Sequence, residues 1–160
     1  MTTRWIRQRN GYSCGPVAIM NLLKWLGEPV AYDRDYPAWK RRMGCERYGT
    51  PLKNFVKTLY KIPDIKISPR NAPNVGTIED ALVVGRAVVM KSAYMDRGIM
   101  VGHYYLITDL TEKSFFCVNL NQKHSWVPKA AFQFHWLQLH ANYCMECGIA
   151  PYAWIVRPES

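Results

Sequence analysis

No apolar run in this sequence approaches the ~20 residues that a membrane-spanning helix needs. Met1-Thr2-Thr3-Arg4-Trp5 opens into polar residues, not into the apolar core of a secretory signal. The five cysteines are odd in number and widely spread, unlike the paired framework of a small secreted domain. These absences predict a soluble, reduced, cytoplasmic protein with no membrane partner. Internal repeats and low-complexity tracts are missing, which excludes solenoids and long disordered arms. Acidic residues are scarce, 12 against 21 basic ones, giving a formal charge of +9. That balance favours acidic partners. The basic residues are scattered, however, with Lys40-Arg41-Arg42 as the densest cluster and no continuous basic stripe along a helix. Nucleic acid is therefore an unfavoured partner.

What is present is core-forming material. A hydrophobic content of 49% and an aromatic content of 13% in 160 residues predict one globular domain spanning 1–160. Pro16 suits the first turn of a helix and Gly27 a position just past its end, with Val17, Met20, Leu23 and Leu26 at helical spacing between them. A short helix is expected over 36–43, ending near Gly44. Thr50-Pro51 reads as N-cap and first turn of a helix carrying Leu52, Phe55, Val56, Leu59 and Tyr60 on one face. Residues 65–67 suggest a strand, 69–75 a loop, and Thr77 the start of a further helix with Asp80 at the reciprocal capping position. Strands are expected at 87–90, 101–109, 114–119 and 153–156, the second and third joined by a turn at 111–113. Trp126 to Leu139 is ambiguous, with a helix expected from near Pro128. Helices first and mainly antiparallel strands after them make an α+β fold, not a chain of βαβ units.

The chemistry concentrates in three places. Cys14-Gly15-Pro16 puts a thiol where a loop enters a helix, and a helix N-terminus favours the thiolate. Gly15 leaves the nucleophile uncrowded, the Cys14 main-chain N–H is free for an oxyanion, and Gln8 offers a second donor six residues earlier. His103 follows Gly102 at the start of a strand, sharing a face with Tyr105 and Ile107 while Tyr104 and Leu106 take the other. Asn119 ends the partner strand, where it can hold the His103 ring towards Cys14. Asn121 is a rival, two residues further along.

The set Gln8-x5-Cys14-Gly15-Pro16-x-Ala18-x2-Asn21-Leu22-Leu23-x-Trp25-Leu26-Gly27, with the later Gly102-His103, resembles papain-like cysteine peptidases of the double-glycine leader, bacteriocin-processing type. The resemblance spans roughly residues 8 to 120. It implies a papain-like fold with N-terminal helices packed on a mainly antiparallel sheet. It also implies a cofactor-free cysteine peptidase acting on a peptide or protein substrate. The roles fall on Cys14 (nucleophile), His103 (general base, then acid), Gln8 (oxyanion donor) and Asn119 (orienter). The sequence departs from the family at the orienter, where Asn119-Leu120 stands in place of Asp-Pro. The alternative is a catalytically idle papain-like fold used as a basic binding module for nucleic acid or an acidic protein. The +9 charge speaks for it, and the intact Gln8, Cys14 and His103 set against it.

Other polar and aromatic residues read as ordinary structure. His135, His140, Cys144 and Cys147 lie too close together in sequence for the usual separated ligand pairs of a zinc site, so no metal is expected. His124 reads as a surface residue, Cys45 and Cys117 as packing residues. Trp126 reads either as core or as a shield over the histidine–asparagine hydrogen bond.

Overall fold

The computed structural model describes residues 5–96, 99–138 and 152–159. Four helices precede or interrupt the strands: α1 (Cys14–Trp25), α2 (Tyr32–Met43), α3 (Leu52–Leu59) and α4 (Val75–Val83). A fifth, α5 (Lys129–Phe132), runs directly into a π-helical stretch, Gln133–Gln138. The strands are β1 (Ile65–Asn71), β2 (Ala87–Asp96), β3 (Ile99–Leu110), β4 (Ser114–Leu120), β5 (Lys123–Pro128) and β6 (Tyr152–Pro158). They form one sheet in the order β1-β6-β2-β3-β4-β5, and every pairing is antiparallel. The α+β expectation holds. Among the described residues no helix is long and apolar enough to cross a membrane.

Strand alternation divides the core in two. Val88, Met90, Tyr105, Ile107, Cys117 and Ile155 point to one face and pack under α4 and α5. Val89, Tyr104, Leu106, Val118, Trp154 and Val156 point to the other and pack under α1 and α3. The second face includes a Phe55–Tyr104 ring stack with centroids 3.9 Å apart. Helix α1 is covered on both sides. Cys14, Ala18 and Leu22, at i, i+4 and i+8, lie against the sheet, while Val17 and Met20 meet the aromatic residues of α2. This double burial explains the near-absence of polar residues in α1.

Several local expectations change, each for a physical reason. Thr50 does not cap α3; it is buried against Gly15, so closely that a Cβ there would fall 2.7 Å from Thr50 Cβ. The cap of α4 is Asn74, whose Oδ1 accepts the Thr77 N–H at 2.8 Å, rather than Thr77 with Asp80. The expected loop from Pro69 is partly strand: β1 is an edge strand, where a proline's missing N–H breaks no ladder bond. Residues 123–128 form β5, hidden in the sequence because the strand is short and polar. The helix beginning after Pro128 is as expected. Of the tail motif, His140, Cys144 and Cys147 lie outside the described residues.

Candidate active site

The site begins with the placement of the N-terminal segment. Asn21 is fully buried in α1, two turns beyond Cys14, on a helix whose other polar residue is Lys24 in the last turn. Its Oδ1 accepts the Ile6 N–H at 2.7 Å and its Nδ2 donates to the Ile6 carbonyl at 2.9 Å. One side chain thus imitates a strand partner and pins residues 5–8 beside the helix. Asn10 then shapes the turn into α1, its Oδ1 accepting the N–H groups of Tyr12 and Ser13 at 3.1 and 2.9 Å. Between these anchors Gln8 is held buried, 4% exposed.

Gln8 is held by three hydrogen bonds. Its Nε2 donates to the Asn10 carbonyl at 2.6 Å, its Oε1 accepts from Asn119 Nδ2 at 2.9 Å, and its main-chain N–H donates to Asn119 Oδ1 at 3.2 Å. One of the two Nε2 protons is used by Asn10; the second is geometrically independent of it.

Asn119 is the residue on which the site turns. Its φ is +63°, in the left-handed region that asparagine tolerates better than most residues. The β4–β5 register shifts between Cys117 and Leu120, so Asn119 sits in a bulge. The main-chain carbonyl is thereby turned to His103, whose Nε2 lies 2.7 Å from it, and the side chain is turned to Gln8. The sequence expectation placed the Asn119 amide on the imidazole; the structure puts the carbonyl there instead, because the left-handed backbone rotates the two groups apart. A carbonyl only accepts, so Nε2 carries the proton and Nδ1 is the unprotonated nitrogen. Asn121 is not a rival. With Gln122 it forms the two-residue β4–β5 turn, both φ positive (48° and 60°), and its side chain is exposed.

His103 and Cys14 flank the same stretch of β3. The imidazole stacks on Tyr105 (centroids 5.7 Å) on one face. Cys14 packs with Tyr104 and Leu106, its sulfur hydrogen-bonded by the Tyr104 main chain. Among the described residues no hydrogen bond joins the Cys14 thiol to the His103 ring. Both groups are dry, 4% and 3% exposed. Burial pushes the Cys14 thiol up to about 11, against hydrogen bonds from the main chain of Tyr104, Gly15 and Cys14 itself. Burial also pushes the His103 imidazole down to about 4, with the Asn119 main-chain bond acting the other way. The resting site therefore holds a neutral thiol and a neutral imidazole.

Trp126 does not shield the histidine: it lies on β5, half-exposed, against Phe116 with centroids 5.3 Å apart. Cys117 is core. Cys45 is buried and its Sγ reaches the Tyr12 carbonyl at 3.4 Å, tying the loop after α2 to the loop before Cys14. His124 is not a plain surface residue, for its Nδ1 accepts the Asn119 N–H at 3.0 Å. From the sequence, Asn21 enters only as part of the helix motif and His124 reads as surface, so neither is given a place in the site. The only advance sign of the first was an amide in an apolar helix; the second had none.

The fold is that of C39-type, papain-like cysteine peptidase domains. The peptidase domain of Streptococcus ComA, a bi-functional ABC transporter of a quorum-sensing pathway, is similar with a TM-score of 0.68 and 13% identity, over 98% of both chains. A C39-like peptidase from Bacillus anthracis is similar at 0.64 and 11%, over 98% of this chain and 96% of that one. A double-glycine motif protease from an AMS/PCAT transporter, solved with its leader peptide, is similar at 0.62 and 12%, over 97% and 91%. No protein-family model matches the sequence, and no curated protein sequence matches it.

Proposed function

We propose that this chain is a cysteine peptidase that hydrolyses a peptide bond through a thioester on Cys14. The observation that carries the reading is the hydrogen-bonded circuit Gln8–Asn119–His103, whose Gln8 lies on the segment that leads into a cysteine at the first residue of a buried helix. A packing cysteine has no need of such a circuit. The likeness in fold to peptidase domains, one of them bound to a leader peptide, supports a peptide substrate.

His103 Nδ1 takes the thiol proton as sulfur attacks the scissile carbonyl. The oxyanion is met by the Cys14 N–H and the second Nε2 proton of Gln8. His103, now an imidazolium held by the Asn119 carbonyl, gives its proton to the leaving amine. Water, deprotonated by the same imidazole, then releases the acid and restores the thiol. Because thiol and imidazole are both neutral at rest, proton transfer accompanies attack rather than preceding it. Work in a reducing compartment such as the cytoplasm suits a nucleophile that must remain a thiol.

The test is incubation of the purified protein with a defined peptide mixture, reading new termini by mass spectrometry, beside Cys14→Ala and His103→Ala. Cleavage by the wild type alone is expected. Equal products from all three, or none from any, would remove the peptidase reading.

A further inference from the structure

His124 joins the circuit from outside. Asn119 lies in the bulge, outside the paired register, and His124 Nδ1 takes its N–H across the hairpin at 3.0 Å. An N–H can only be received by an unprotonated nitrogen, so His124 is neutral with its proton on Nε2. Adding a proton to Nδ1 sets two donors against each other. The bond that holds Asn119 in its left-handed turn is then lost, and that turn aims the Asn119 carbonyl at His103 and its amide at Gln8.

The charged surroundings are one-sided. His124 shares a cavity of about 860 Å³ with Arg7, Arg9, Lys24, Tyr32 and Asp33. Asp33 is paired with Arg9 at 2.7 Å. Arg7 Nε donates to the Gln122 carbonyl at 2.7 Å, clamping the same turn from the N-terminal segment, and Lys123 is the residue before His124. Partial burial and then the Arg7 charge lower the His124 pKa from its usual value of 6.5, hydrogen bonding to the Trp5 main chain acting the other way.

We propose that His124 is a positioning residue for the site, and that its protonation as pH falls releases Asn119 and disassembles the Gln8–Asn119–His103 circuit. The sign follows from the neutral form being the one that fits: the circuit is intact above pH 6.5 and is lost as pH falls through the lowered value. The kinetic consequence rests on the peptidase reading; the structural one does not.

Nitrogen-detected NMR of the full chain separates the two. His124 Nδ1 is expected to show an unprotonated resonance at neutral pH and to titrate below 6.5, with the Asn119 amide moving at the same midpoint. A protonated Nδ1 at neutral pH, or an Asn119 amide indifferent to the titration, overturns the proposal whether or not any peptide is cleaved. Where a peptide is cleaved, the wild-type acid limb of log kcat should approach a slope of about two, one proton on His103 and one on His124. His124→Asn places an Oδ1 where Nδ1 stands and cannot titrate there. It should keep activity within about threefold at pH 7.5 and reduce the slope to one. His124→Leu, without an acceptor, should lower kcat about tenfold with KM little changed. A wild-type acid limb in His124→Asn overturns the proposal.

Discussion

Cys14 and Cys117 are both buried, and burial pushes both thiols up, to about 11 and about 12. They sit on opposite faces of one sheet. What differs is the company. Cys117 is surrounded by side chains such as Ile107 and Phe115, and nothing but burial acts on it. Cys14 is reached by main-chain hydrogen bonds from Tyr104 and Gly15, and the segment leading into it carries Gln8, which is wired to Asn119 and, through it, to His103. A buried thiol is therefore not a sign of function by itself. The polar groups that the fold spends stability to hold near it are.

The contrast is broken most directly by truncating each thiol. Cys14→Ala should lower peptide cleavage by roughly 10⁴-fold or more. Cys117→Ala should leave kcat/KM within about threefold while costing on the order of 1 kcal/mol of stability in denaturant titration. Equal losses from both would erase the distinction.

Next in size is the cost of keeping His103 neutral. Its folded value is lowered from 6.5 to about 4, so its contribution to stability is complete above 6.5 and is lost as pH falls through about 4. The loss amounts to about 3 kcal/mol across that window, and His103→Gln should flatten that part of the stability–pH curve. An unchanged slope would mean that His103 is not buried neutral.

Asn21→Leu should cost about 2 kcal/mol, because the Ile6 N–H and carbonyl are left unpaired in an apolar setting. It should also lower kcat, since Gln8 loses its anchor two residues away. Stability lost with activity intact would show that Gln8 is held by Asn119 and Asn10 without the Asn21 anchor.

The finest cut is Asn119→Gly. Glycine accepts the left-handed φ and keeps the carbonyl for His103, but it frees Gln8. About a tenfold fall in kcat, ~1.4 kcal/mol, is expected with the His103 titration unmoved. A shifted His103 titration would contradict the separation of the two roles.

The sequence made the nucleophile side of this comparison legible and the orienter side only partly so. Cys14-Gly15-Pro16 is local: a loop-to-helix signal and the apolar spacing after it suffice to place a thiol at a helix start. Pairing β3 with β4 was readable from alternation and a short turn, which brought His103 and Asn119 near each other. Which atom of Asn119 faces the ring depends on one backbone dihedral and a register shift, and neither leaves a trace in composition. The caps of α3 and α4 went astray for a related reason. Thr50 is drawn into contact with Gly15, a partner 35 residues away that local capping rules do not contain.

The most direct test of the account is covalent trapping by peptides carrying an electrophilic carbonyl mimic, with the adduct located by mass spectrometry. Modification confined to Cys14, dependent on the peptide portion and at least tenfold slower in His103→Ala, is the expected result. Labelling of Cys14 at one rate regardless of peptide sequence and of His103 would contradict the claim that these residues form a peptidase site.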